Sequence, residues 1–397
     1  MPIIAPNILL PRKDIDLTKW AVIACDQFTS EPKYWNEVAE VAKNAPSTLH
    51  ITLPEIYLSK VNEEKIDEIN DTINRYLSEG IFVDIGKCFV LVDRKTPYVK
   101  HRMGLMIAID LEQYEYSVGT KAAVRATEGT ILERIPPRKK VRINAPIELP
   151  HVMVLFNDKK NKIIGNLVKN IDKHEKLYDF QLNMGGGHIT GYKITETAKI
   201  IKQFESLVGE SGMMFAVGDG NHSLATAKSC WDTIKQNLTE EQKLTHPARF
   251  ALVEAVNIYD EGLSFEPIHR VVFNATEELV DEIKAIGGEN VCEIYSEGKS
   301  HKLSLPADPV EAVTKVQNII DRYMEQNPEI KIDYIHGLKD VKNVVNENPG
   351  SVGITLPAFD KAMFFDYVEH KGAMPRKTFS MGEGVEKRYY LEAKLIK

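Results

Sequence analysis

The stretch from 213 to 223 limits the possible folds more than any other part of this chain. Met213-Met214-Phe215-Ala216-Val217 is an apolar run of strand length, Gly218-Asp219-Gly220 is a tight turn, and 221–234 has the pattern of a helix. A buried strand that turns through glycine straight into a helix is the building unit of α/β proteins. The rest of the chain repeats the alternation. Residues 20–25, 88–92, 104–109, 152–156, 251–258 and 352–356 read as strands. Residues 31–43, 63–77, 196–207, 276–286, 341–346 and 362–369 read as helices, and 163–168 fits either state. Thr239 with Gln242 three residues on makes a capping box, and Asp308-Pro309 opens another helix. Gly185-Gly186-Gly187-His188, between two strand-like runs, is expected to be a hairpin turn more than a phosphate loop. The fold class expected is mixed α/β. No linker of low complexity divides the 397 residues, and a weak break near 275 suggests a core region 1–275 and a C-terminal region 276–397.

Composition narrows the function. The formal net charge is −7, the wrong sign for a protein that grips nucleic-acid phosphates, so no nucleic-acid partner is expected. The basic run 134–140, including Arg134, reads as a solvated loop or as a pocket for a small anion. Four scattered cysteines without a Cys-x-x-Cys pair argue against structural zinc and for a reducing compartment. The N-terminal residues lack the pattern of a signal peptide, and no apolar run is long enough to span a bilayer. A cytoplasmic protein without a membrane partner is expected. Its oligomeric state is not legible.

The turn at 218–223 is also the best place for chemistry. The first amides of a helix have no partner within it and carry partial positive charge, so they suit a phosphate. Gly220 permits close approach of a ligand, Asn221, His222 and Ser223 offer donors, and Asp219 could hold a metal or orient a hydroxyl. An ordinary capped turn would look the same locally.

Residues 218–227, Gly-Asp-Gly-Asn-His-Ser-Leu-Ala-Thr-Ala, resemble the Asp-Gly-His-His-Arg-Tyr-x-Thr-Ala signature of the DUF1015 family. In the same order as in that family, Arg125-Ala126-Thr127-Glu128-Gly129-Thr130 resembles Pro-His-Glu-Arg-Thr, 265–272 with His269-Arg270 resembles Leu-Pro-Thr-His-Arg, and Met374-Pro375-Arg376-Lys377-Thr378 resembles Met-Pro-Pro-Lys-Ser-Thr. The signature also resembles the phosphate-binding turn of ParB/sulfiredoxin-like proteins, including free-serine kinases. That resemblance implies a ParB/sulfiredoxin-like core and phosphoryl transfer to or from serine, with ATP, ADP or pyrophosphate as co-substrate, Mg²⁺ as the ion and no organic prosthetic group. It implies Glu128 as general base, His222 as phosphate donor and Asp219 as metal ligand. Gly220, Asn221, Ser223, Arg134, Arg376, Lys377, Thr378, His269 and Asp26 would bind phosphate or substrate. Two departures matter: Ser223 stands at the arginine of the signature and Asn221 at its first histidine. Losing that arginine removes a bidentate phosphate clamp. A non-catalytic nucleotide-binding module and a phosphoserine hydrolase are the competing expectations.

Overall fold

The computed structural model describes residues 2–117 and 119–397, which form two compact units. The first comprises 1–263, 365–373 and 383–397; the second comprises 264–364 and 374–382. The sequence pattern suggests a single break near 275. The division falls earlier because Phe265–Phe273 is a strand of the second unit's sheet. The chain also returns to the first unit twice.

A ten-stranded mixed sheet forms the first unit, with nine strands in the order Glu175–Gln181, His188–Ile194, Phe89–Lys95, Arg102–Asp110, Phe250–Asn257, Met153–Phe156, Phe215–Asp219, Val124–Arg125, Tyr114–Glu115. Every residue of Arg102–Asp110 is buried, so this strand is covered on both faces. Its alternate side chains divide between two cores, as a period of two requires. Leu105, Ile107 and Ile109 meet Ile200, Phe204, Leu224 and Trp231, whereas Met106 faces the layer of Trp20, Trp35, Ile73, Tyr389 and Tyr390. The Gly185–Gly187 segment is a hairpin turn, and Ile163–Lys169 is a helix. Among the described residues, no helix is long and apolar enough to cross a membrane.

Two local expectations change. Residues 20–25 do not form a regular strand. Asp16 caps the short helix Leu17–Trp20, and the extended residues after it are bound by a distant segment, Tyr390 N–H donating to Val22 O at 2.8 Å and Ala24 N–H to Arg388 O at 2.8 Å. The basic run is not a loop. Ile135–Arg142 is a helix with proline in its first turn, where the missing amide costs nothing. Arg138 pairs with Glu55, and Lys139 donates to Ser229 Oγ (3.2 Å) and Thr233 Oγ1 (2.7 Å).

In the second unit, an antiparallel sheet runs Lys299–Leu305, Asn290–Ser296, Val352–Ile354, Phe265–Phe273, Lys331–His336. Helices Glu277–Lys284 and Pro309–Gln326 supply Leu279, Ile283, Val313 and Ile320 to its main core. Helix Leu338–Glu347 places Val341 and Val345 with Val271 and Tyr295 in a smaller cluster.

Candidate functional site

The strand Phe215–Asp219 pairs parallel with Val124–Arg125 and antiparallel with Met153–Phe156. Its carboxyl end therefore lies beside the start of one neighbour and the finish of the other. Open α/β sheets place ligands at the carboxyl ends of their strands. A register shift between Val217 and Asp219 re-aims the last residue of the strand. Thr127 Oγ1 donates to Val217 O at 2.5 Å, tying the segment before Glu128 to this strand.

Helix Asn221–Ile234 follows through Gly220, whose φ of 78° and ψ of 29° are left-handed. A Cβ there would lie 3.0 Å from Val152 Cα and 3.1 Å from its Cγ2, so glycine is required by both conformation and space. Leu224, Ala225, Ala227, Cys230 and Trp231 bury the helix, and Leu224 and Trp231 each contribute on the order of 2 kcal/mol by leaving water. Its N-cap residue, Gly220, has no side chain with which to cap the N-terminus. Asn221 Oδ1 is enclosed without a hydrogen-bond partner among the described residues. His222 Nε2 accepts from Ile131 N–H at 3.3 Å.

Asp219 Oδ1 accepts from Gly220 N–H at 2.9 Å, and its Oδ2 lies 3.1 Å from Lys387 Nζ. Beside the glycine stands His151, with Tyr390 Oη 2.8 Å from Nδ1 and Asp26 Oδ2 3.7 Å from Nε2. Tyr390 Oη also accepts from Cys25 N–H at 3.1 Å. Burial works to raise the Asp26 pKa, but His151, the Gln27 amide and Lys387 outweigh it and hold the carboxyl below its ordinary value. Burial, then the Asp26 charge, push the Cys25 thiol up to about 12, so this cysteine is no nucleophile near neutrality.

The structure thus brings Asp26, Asp219, Gly220, Asn221, His222, Ser223 and Glu128 into one unit. Glu128 and Ser223 are half-buried, and Arg134 is exposed. Arg125, a conceivable partner of Glu128, is spent on carbonyls, donating to Ala122 O (2.9 Å) and Ser211 O (2.7 Å). His269, Arg376, Lys377 and Thr378 belong to the second unit. There His269 Nδ1 accepts from Leu356 N–H (3.1 Å), Thr378 Oγ1 donates to Pro375 O (2.7 Å), and Lys377 O accepts from the buried Arg270 (2.9 Å). Arg376 and Lys377 have exposed side chains. His151, Tyr390 and Lys387 escaped the sequence reading. None carries a local pattern, and each gains meaning only from a residue far away in the chain.

No curated protein is significantly similar to the chain. Similar solved structures include a free serine kinase variant in complex with ADP (TM-score 0.41, 12% identity, 75% of this chain and 94% of that one). A free serine kinase in complex with AMP (TM-score 0.41, 11% identity, 72% and 90%) also matches. So does a conserved hypothetical protein from Pyrococcus furiosus (TM-score 0.35, 14% identity, 72% and 90%). The family described as "Protein of unknown function (DUF1015)" matches residues 9–337, most of the sequence, and the chain belongs to the DUF1015 family.

Proposed function

We propose that this protein is a phosphotransferase that moves a phosphoryl group between ATP, ADP or pyrophosphate and the hydroxyl of free L-serine. The observation that carries the reading is the N-terminus of helix Asn221–Ile234, entered through a left-handed glycine that has no capping side chain, preceded by Asp219 and standing beside the His151–Asp26 pair. Helix amides receive phosphate oxygens, with the Ser223 hydroxyl and the His222 ring as added donors. The serine Oγ attacks phosphorus, the bond to the bridging oxygen breaks, and the nucleotide or phosphate leaves with the electron pair. Glu128 accepts the hydroxyl proton. Asp219 orients the acceptor hydroxyl, and Asp26 binds the amino group of the substrate.

Among the described residues, no three His, Cys, Asp or Glu side chains cluster to hold a metal. One carboxylate at the turn fits Mg²⁺ shared with substrate phosphates and water, the usual arrangement for this ion. Asp219 would hold it, and the ion would offset phosphate charge. The proposal gives no step to Arg134, His269, Arg376, Lys377 or Thr378.

The test is a ³¹P NMR assay with L-serine and Mg²⁺, offering ATP, ADP or pyrophosphate separately. Phosphoserine is expected with one donor. Replacement of Asp219 or Glu128 by alanine should lower turnover by at least about 100-fold, the scale of a lost general base. Folded protein that makes no phosphoserine from any donor overturns the reading. Free phosphate without phosphoserine would identify a hydrolase instead.

A further inference from the structure

The turn has an electrostatic problem that its own segment does not solve. Asp219 lies in the turn, Asp26 faces His151 beside it, and the Asp26 carboxyl is kept ionised by its surroundings. A phosphate arriving there meets two negative charges, and helix amides supply only partial positive charge. The side chains of the helix's first turn, Asn221, His222 and Ser223, carry no fixed cation.

A cation arrives from the other end of the sequence. Lys387 Nζ lies 3.1 Å from Asp219 Oδ2, its side chain is only 13% exposed, and its charge also acts on Asp26. The backbone on both sides of it is fixed. Arg94 donates to Val385 O at 3.1 Å and Arg102 donates to Glu386 O at 3.1 Å. Glu386 Oε1 accepts from Thr96 Oγ1 at 2.6 Å. Immediately after Lys387, the buried Arg388 pairs with Glu254 at 2.7 Å and with Glu392. A lysine ordinarily loses much rotamer entropy when it grips a ligand. Here its backbone is anchored on both sides and Asp219 already holds the ammonium, so part of that cost is met in folding.

Resting on the phosphotransferase reading above, we infer that Lys387 is the phosphate-binding cation of this site. Its ammonium, paired with Asp219 before the donor arrives, donates to a non-bridging phosphate oxygen at the N-terminus of helix Asn221–Ile234. This role lies outside the 9–337 span that the family match covers.

Isothermal titration of the full chain with inorganic pyrophosphate and with ADP, in EDTA to remove divalent ions, tests the assignment. Lys387→Met should weaken binding of both probes by about 10- to 100-fold, the weight of one charge-assisted hydrogen bond. Lys387→Arg should stay within a few-fold of the natural protein. The double variant Asp219→Asn/Lys387→Met separates two roles. If Lys387 only neutralises Asp219, removing both charges restores binding; if it grips phosphate, binding stays weak. Natural affinity in Lys387→Met, or recovery in the double variant, overturns the inference and leaves the phosphotransferase reading standing. No binding of either probe by the natural protein in EDTA overturns the inference, and no binding when Mg²⁺ is restored overturns both. Should the variants fold poorly, acetylation of Lys387 in the natural protein, followed by mass spectrometry, decides the matter. Pyrophosphate is expected to slow it selectively, and an unchanged rate overturns the inference.

Discussion

At Gly220 one missing methyl group decides whether the turn exists. Left-handed backbone costs an L-residue about 1–2 kcal/mol, and here a Cβ would also press on Val152. Gly220→Ala should lower stability by at least that amount in urea unfolding and weaken pyrophosphate binding in the same sample. A variant with natural stability and affinity would show that the turn tolerates a side chain. Gly220, Asn221 and His222 were legible because a glycine turn between an apolar run and a helix advertises itself locally. Their companions were not. Tyr390 lies 239 residues from His151, and neither position has any marker of the hydrogen bond between them. Lys387 lies in a Glu-Lys-Arg-Tyr-Tyr run that reads as an ordinary mixed stretch until Asp219 is seen beside it.

Among the elements, those with local start signals were the readable ones. The site helix occupies the expected 221–234, Thr239 and Gln242 form the reciprocal capping box, and Asp308 caps Pro309–Gln326. Strands that depend on distant partners were harder. Lys331–His336 and the Asn290–Ser296/Lys299–Leu305 hairpin went unrecognised, since mixed polar sequence hides a sheet edge. Residues 20–25 have the apolar content of a strand but take their hydrogen bonds from 388–390. His269 shows how such a strand is fastened. Burial first, then the charges of Arg270 and His336, hold its pKa at about 4, and Nδ1 accepts the Leu356 amide. The unfolded ring takes a proton near pH 6.5 while the folded ring does not. Stability is therefore complete above about 6.5 and declines by roughly 3 kcal/mol as pH falls towards 4. Hydrogen exchange across 264–364, measured against pH, should show this loss in the natural chain and a flatter profile in His269→Gln. Parallel profiles would refute the assignment.

For the whole molecule, the segment 383–397 holds the first unit together from inside. Arg388 is 3% exposed at the side chain and pairs with Glu254 and Glu392, themselves 2% and 0% exposed. Burial opposes each charge, yet Arg388, Arg102 and Arg94 together keep Glu254 below its ordinary pKa. Removing one partner of a buried pair strands the other, at a cost of about 3–5 kcal/mol. Urea unfolding followed by tryptophan fluorescence should show that loss in Arg388→Met, and a large part of it should return in Arg388→Met/Glu254→Gln/Glu392→Gln. Unchanged stability in the single variant would mean that the pairs are not desolvated as described. Mixed α/β architecture was legible from the alternation of patterns. A first unit interrupted by the second and closed from 383 onwards was not, because periodicity records which face is buried and not which distant segment buries it.

The bridges Leu9↔Ala393 and Ile23↔Tyr389 also set a timetable. A ribosome adds about 5–20 residues per second, so roughly 20–70 s separate the emergence of Ile23 from that of Tyr389. Through that interval the nascent first unit lacks Tyr389, Tyr390, Leu391 and Ala393 from one of its two cores. Lys387 arrives with the same segment. A chain translated only as far as the second unit lacks the ammonium at Asp219, so the candidate site is assembled only after synthesis has passed Lys387.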